Sequence, residues 1–344
     1  MSANMQTMLP VTQLGTTDMR ITRVGFGAWA IGGGGWQFGW GEQNDQSSIA
    51  AIRHALRQGV NWIDTAAAYG LGHSEEIVAR ALRDLPPEDR PYIFTKCGLV
   101  WDERDRSAPV CRVGEPRSIR REAEASLRRL RVERIDLYQM HWPAEDGTPL
   151  EDYWGTLLQL KAEGKVRAVG LSNHSAEQLA VAERIGHVDT LQPPFSAIHR
   201  NAAARELPWC AKHSTGVIVY SPMQSGLLTG TFSTERAARL PADDWRSRSP
   251  DFTGAGLRRN LSLADALKPL AERRNTTVGA VAVAWTLAWP GVTGAIVGAR
   301  SPAQVDGWLA AAGLELSNAE LDEIASAISR TRAGEGPFRP PVVV

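Results

Sequence analysis

Asn61-Trp-Ile-Asp-Thr65, then Ser74-Glu-Glu-Ile-Val-Ala-Arg-Ala-Leu82, then Tyr92-Ile-Phe-Thr-Lys96: this passage decides the fold. The outer two runs are short and rich in apolar and aromatic residues, as buried strands are. The middle run carries its apolar residues at helical spacing, with Ser74 as the expected N-cap. A strand, a helix and a second strand in this order form a crossover unit, which places the two strands parallel and adjacent in one sheet.

The same unit extends in both directions. Upstream, Arg23 to Gly27 reads as a strand, and Ser47 to Gln58 places Ile49, Ile52 and Leu56 on one helical face before stopping at Gly59, a natural C′ residue. Downstream, Ile119, Ala123, Leu127 and Leu130 share a helical face. Further strands are expected at Ile135–Gln139, Val166–Leu171, Thr190–Gln192, Gly216–Tyr220 and Gly294–Val297, which makes eight. Eight β/α steps give either a closed (β/α)₈ TIM barrel or a doubly wound sheet in two halves. No Pro/Gly-rich linker divides the chain at its middle, which favours the α/β barrel as a single domain over residues 1–344, with a core of about 19–330 and a Pro-rich tail at 331–344. Val11–Leu14, a Gly15-Thr-Thr17 turn and Met19–Thr22 form an expected N-terminal β-hairpin plugging the underside. Gly32–Asp45, Gly98–Glu115 and Ser221–Asn260 are longer than ordinary connections, and all fall on the C-terminal face, where barrel active sites lie.

Composition narrows the function. The 344 residues carry 38 Lys+Arg against 38 Asp+Glu, so bulk charge attracts neither nucleic acid nor an anionic membrane. Seven basic residues between Arg117 and Arg134 interleave with Glu122, Glu124 and Glu133, the pattern of a solvated helix face. Cys97, Cys111 and Cys210 lack CxxC spacing, the histidines include no HxH or HExxH, and no metal is expected. The first twenty residues lack a cationic segment followed by an apolar run, and no apolar stretch would span a bilayer, so a cytoplasmic protein is expected.

Gly25-Phe-Gly27-Ala-Trp-Ala30 has GxGxxA spacing at the end of a strand, but four glycines, Gly32 to Gly35, follow where a Rossmann helix would have to open. A dehydrogenase built on that turn is therefore disfavoured, although so dense a glycine run would let a ligand approach the backbone. Polar residues at successive strand ends carry more weight. Asp64, Tyr69, Lys96 and His141 end strands two to four or follow them, so a barrel brings an acid, a phenol, an ammonium and an imidazole to one pocket.

Asp64-Thr-Ala-Ala-Ala-Tyr69-Gly70, Phe94-Thr-Lys96, Gln139-Met-His141-Trp-Pro143, Gly170-Leu-Ser-Asn173, Leu191-Gln-Pro-Pro194, Tyr220-Ser-Pro222 and Gly298-Ala-Arg300 span nearly the whole chain. In this order they resemble the aldo-keto reductase superfamily, closest to the bacterial NADPH-dependent general-stress-protein type. The resemblance implies that aldehydes or ketones are reduced to alcohols by hydride from NADPH, with NADH the less favoured donor. Tyr69 would be the general acid, its pKa lowered by Lys96, with Asp64 holding Lys96 charged and His141 donating to the carbonyl oxygen. It further implies Trp29, Ser172, Asn173, Gln192 and Tyr220 around the nicotinamide, and Ser221, Ser225, Gly226 and Leu227 along the pyrophosphate. Gly298, Arg300 and Gln304 would hold the adenosine end. Arg300, beside the helix start Ser301-Pro302, favours a 2′-phosphate and hence NADP.

Two departures stand out. Relatives often have Gly-Lys where this chain has Gly230-Thr231, and Glu-Asn where it has Gly307-Trp308. His174 stands where Phe is usual and is expected to pack. The alternative reading is a nicotinamide-binding regulatory subunit or redox sensor with little turnover. Neither a nucleic-acid nor a membrane partner is expected, and the chain is read as a monomer or weak homo-oligomer acting on a small carbonyl compound. Half of the 24 aromatic residues are Trp. Trp29, Trp36, Trp40, Trp101, Trp142 and Trp245 fall on the active-site face, with Trp36, Trp101 and Trp142 assigned to the substrate pocket. Trp154 and Trp285 lie on helical stripes and are expected in the core. Rings around the pocket would favour apolar or aromatic carbonyls over highly charged ones.

Overall fold

The computed structural model describes residues 9–341; Met1 to Met8, read above for a leader, and Val342 to Val344 lie outside it. The strands are β1 (Val11–Gln13), β2 (Arg20–Thr22), β3 (Val24–Gly27), β4 (Trp62–Asp64), β5 (Tyr92–Cys97), β6 (Leu99–Val100), β7 (Cys111–Arg112), β8 (Ile135–Met140), β9 (Val166–Ser172), β10 (Thr190–Gln192), β11 (Gly216–Tyr220) and β12 (Val292–Gly298). The helices are α1 (Asp45–Arg57), α2 (His73–Leu82), α3 (Pro116–Leu130), α4 (Leu150–Ala162), α5 (Ala176–Glu183), α6 (Glu206–His213), α7 (Thr234–Ala238), α8 (Gly254–Arg273), α9 (Val278–Leu287), α10 (Pro302–Leu309) and α11 (Asn318–Thr331). Eight parallel strands close into a barrel in the order β3-β4-β5-β8-β9-β10-β11-β12, surrounded by helices.

Two apolar layers hold it together. One lies between strands and helices, with Trp154 and Trp285 fully buried in it. The other fills the barrel's lower end, where Leu14, Met19 and Ile21 from the antiparallel β1-β2 hairpin meet Trp62, Phe94 and Leu137. The hairpin is the expected plug. Trp62 also explains the GxGxxA spacing: a Cβ on Gly25 would lie 2.1 Å from its ring, so that glycine admits an indole, not a phosphate.

Several local expectations change. Helix α2 begins at His73 after Gly72, and Ser74 is buried inside it rather than capping it. Its hydroxyl donates to the Ala28 carbonyl at 2.8 Å and meets the Thr65 hydroxyl at 2.9 Å, tying the helix to two strand ends. The long 98–115 connection contains the two-residue β6-β7 ladder, and α8 starts at Gly254, inside the expected 221–260 excursion. The basic face of α3 is not wholly solvated. Arg129 reaches in to fully buried Glu75 at 2.6 Å, which also accepts the Thr95 hydroxyl at 2.6 Å.

Candidate active site

Strand register brings the polar strand ends together. Gly27 lies opposite Asp64, Lys96 opposite Gln139, and Cys97 opposite Met140; His141 N–H then donates to the Cys97 carbonyl at 3.0 Å. Tyr69 sits in the loop beyond β4, where Gly70, Leu71 and Gly72 all adopt left-handed backbone with φ of 62°, 55° and 98°. A Cβ on Gly70 would fall 2.2 Å from the Gly32 carbonyl oxygen, so the first glycine of the run packs against the tyrosine loop.

Lys96 is the hub. Its Nζ donates to Asp64 Oδ1 at 2.6 Å, to the Thr65 carbonyl at 2.8 Å and to the Tyr69 hydroxyl at 3.3 Å. Asp64 Oδ2 accepts from Gln192 Nε2 at 2.8 Å, so both carboxylate oxygens are held. The Tyr69 and His141 rings meet edge to face at 5.6 Å. Burial raises Asp64 and lowers Lys96, and each group's partner acts against that shift.

The electrostatics correct one expectation. Tyr69 is not depressed: burial pushes its pKa well above the ordinary 10, and the charge of Asp64 adds to the shift. At 2.6 Å, Asp64 largely cancels the ammonium that would have stabilised a phenolate. Burial, then the positive charges of Lys96 and Arg112, hold His141 well below 6.5 and therefore neutral.

These groups open onto a cavity of about 830 Å³. Tyr69, His141, Ser172, Asn173, Gln192 and Tyr220 contribute polar atoms to its wall, and Trp29, Trp36, Trp142 and Trp245 contribute rings. Trp29 stacks on Trp245 at 5.4 Å and lies nearly parallel to Tyr69 at 6.2 Å. Asn173, at φ 63°, donates to the His141 carbonyl at 2.9 Å and to the Ser172 hydroxyl at 3.1 Å, and accepts the Tyr220 hydroxyl at 2.8 Å. The Ser172 hydroxyl donates to the Gln192 carbonyl at 2.9 Å. His174 is buried between the Ser172 carbonyl and the Tyr153 hydroxyl, each at 2.8 Å, so it braces this turn by hydrogen bonds as well as packing.

The remaining assigned residues lie elsewhere. Trp101 is not in the cavity wall; it packs beside Trp36 and Leu71 with the Arg129 guanidinium 6.0 Å above its ring. Ser221, Ser225, Gly226, Leu227, Gly298, Arg300 and Gln304 also fall outside that wall. The Leu227 side chain is fully buried in the core, which leaves only its backbone for contact. Arg300 points back into its own chain, donating to the Gln43 side chain at 2.6 Å and to the carbonyls of Trp40 and Glu42. Gln304 Oε1 accepts the Arg300 N–H at 2.7 Å. Gly298 pairs with Gly27 at the end of β12.

Sequence reading missed the outer wall, where Arg112 stacks on Trp142 at 4.4 Å and pairs with Glu145. The two-residue β7 gives no periodic signal from which to place it. Among the described residues no His/Cys/Asp/Glu group is placed to hold a metal ion, and no helix is long and apolar enough to cross a membrane.

The chain matches known proteins along nearly its whole length. Residues 23–329 match the model of the Aldo/keto reductase family. The chain is 35% identical to aldo-keto reductase YhdN of Bacillus subtilis over 93% of its own length and 94% of that protein's. It is 36% identical to an NADH-specific methylglyoxal reductase of Escherichia coli, covering 92% of this chain and 98% of that one. The glycerol dehydrogenase AKR11B4 of Gluconobacter oxydans superposes with a TM-score of 0.84 at 38% identity, over 97% of this chain and 99% of that chain. The chain belongs to the aldo/keto reductase family, a family of carbonyl-reducing oxidoreductases.

Proposed function

We propose that the protein reduces aldehydes or ketones with NADPH as the preferred donor, using Tyr69, Lys96, Asp64 and His141. The observation that carries this reading is Lys96 Nζ held between Asp64 at 2.6 Å and the Tyr69 hydroxyl at 3.3 Å at the floor of the cavity. The residues around the cavity suit a nicotinamide. Tyr220 offers a flat ring, and the Gln192 amide oxygen, with no protein partner among the described residues, offers an acceptor for a carboxamide. A bound nicotinamide supplies the hydride.

The chain's own groups do the rest. His141, neutral, donates an N–H to the carbonyl oxygen and polarises it. Tyr69 gives that oxygen its proton, and Lys96 Nζ, 3.3 Å from the hydroxyl, donates a hydrogen bond to the oxygen left behind while Asp64 offsets much of its charge. Positioned proton transfer of this kind contributes roughly 10²–10⁴ in rate. Asn173 holds both the Tyr220 hydroxyl and the carbonyl of His141, so one residue fixes the ring platform and the polarising group together. Trp29, Trp36, Trp142 and Trp245 exclude water and suit apolar or aromatic carbonyls. The preference for NADPH rests on Arg300 alone, and one relative is NADH-specific.

Steady-state rates against a panel of aldehydes, ketones and sugars, each with NADPH and with NADH, test the reading. The expected result is turnover of uncharged aldehydes with kcat/KM at least about tenfold higher for NADPH, the worth of one charge-assisted bond. Dinucleotide binding with no turnover across the panel would contradict it and favour a sensor.

A further inference from the structure

The wall of the cavity carries three charged side chains, Arg112, Glu145 and Asp146, and the proton-delivery floor uses none of them. Asp146 is taken up by backbone: its two carboxylate oxygens accept from the Thr148 N–H and the Gly114 N–H, each at 3.1 Å. Arg112 and Glu145 pair with each other. The pair lies in the open, with the Arg112 side chain 35% exposed and that of Glu145 65% exposed, and an ion pair so placed is weak enough for another carboxylate to take over.

The arginine, unlike its partner, is held in position. It stands opposite Leu99 in the β6-β7 ladder, and its carbonyl accepts the Glu145 N–H at 2.9 Å. Its guanidinium lies 4.4 Å over the ring of Trp142, the residue that follows His141 in the chain. Its charge is felt at that imidazole, where it adds to burial and to Lys96 in keeping His141 neutral. Among the described residues of the wall Arg112 is the one permanent cation, and a guanidinium offers a carboxylate two parallel N–H donors. A substrate therefore meets three kinds of surface: Tyr69 and His141 for its carbonyl, the rings of Trp36, Phe38 and Trp142 for an apolar body, and one guanidinium for an anion. A phosphate dianion is the poorer match, because Glu145 and Asp146 stand on the same wall and repel it.

We propose that Arg112 is a specificity-determining residue that binds a carboxylate carried by the carbonyl substrate, which displaces Glu145 from the guanidinium. The assignment rests on the reductase reading and narrows its substrate class to oxo-acids with an apolar body between carbonyl and carboxylate, aromatic aldehyde-acids among them. Uncharged aldehydes enter the same cavity without that anchor. A guanidinium–carboxylate contact of this kind is charge-assisted and worth about tenfold in affinity or more.

The test compares meta- and para-carboxybenzaldehyde with meta- and para-nitrobenzaldehyde, neutral aldehydes of nearly the same shape. Steady-state kcat and KM are measured at saturating NADPH in the unaltered chain and in Arg112→Gln, Arg112→Lys and Glu145→Gln. Referring each variant to the unaltered chain cancels the different intrinsic reactivity of the aldehydes. Arg112→Gln should lower kcat/KM for at least one carboxybenzaldehyde about tenfold more than for its nitro counterpart, mostly through KM. Arg112→Lys, which keeps the charge, should restore part of that loss. Glu145→Gln removes the competing carboxylate and should lower KM for the same carboxybenzaldehyde; its exposed side chain makes it the deciding variant should Arg112→Gln fail to fold. Equal losses for carboxy and nitro substrates in a folded Arg112→Gln protein overturn the proposal, as does a carboxybenzaldehyde KM that Glu145→Gln leaves unchanged or raises. Turnover of the nitrobenzaldehydes by the unaltered chain would then still uphold the reductase reading, whereas no turnover of any of the four overturns both.

Discussion

Tyr69 can act as an acid near neutrality because it keeps its proton there. Burial and the neighbouring Asp64 charge place its pKa well above 10, and the Lys96–Asp64 ion pair is too nearly neutral to pull it down. On the proposed mechanism reduction needs the protonated phenol, so its rate should be flat from about pH 6 to 9 as far as Tyr69 is concerned. Oxidation of an alcohol needs the phenolate, so it should rise about tenfold per pH unit through the same range. Initial rates in both directions between pH 6 and 10 check this; an alkaline loss of reduction centred near pH 7 would mean that Lys96 does depress Tyr69. The identities of the four floor residues were legible in sequence because each stands at or just beyond a strand end. Their charge balance was not, since it depends on a 2.6 Å contact between two strands.

At the scale of elements, periodic segments were legible and irregular ones were not. All eight barrel strands were placed within about two residues because short apolar runs between amphipathic helices leave few alternatives. Ser74 was misread as a cap because its true partners, Ala28 and Thr65, lie just past the ends of β3 and β4. The β6-β7 ladder, two residues a side, has no period to detect. Two predictions belong here. Gly25→Ala would drive a methyl into the Trp62 ring and should destabilise by several kcal/mol, visible as a lower denaturation midpoint. Glu122 holds the base of the 98–115 loop, accepting from Gly98 N–H at 2.8 Å and the Ser118 hydroxyl at 3.1 Å. Burial pushes its pKa up to about 7. A carboxyl raised in the folded state favours folding below its unfolded pKa, near ~4.3, and that contribution is lost as pH rises through about 7. Glu122→Gln should therefore stabilise by about 1–3 kcal/mol at pH 8 and by almost nothing at pH 4, measured by urea denaturation at each pH.

For the whole molecule, stability and chemistry lie at opposite ends of one barrel. The lower end is closed by a hairpin that buries Leu14 completely against Trp62 and its neighbours. Leu14→Ala should cost about 2–5 kcal/mol in chemical denaturation while leaving kcat within about twofold, because Leu14 belongs to the hairpin plug and does not line the cavity. The upper end collects residues from β4, β5, β8, β9, β10 and β11 that are far apart in sequence, which is why the strand-end pattern pointed to them. The outer wall with Arg112 and Trp142 comes from long connections, whose placement depends on tertiary contacts rather than on spacing. The most direct test of the proton-delivery floor is Tyr69→Phe, assayed for NADPH oxidation with a reactive aldehyde and, separately, for NADPH binding by fluorescence quenching. The ring and its packing remain while the hydroxyl facing Lys96 is lost. Turnover should fall by roughly 10²–10⁴ or more with the dissociation constant changed less than about threefold; undiminished turnover would contradict the account.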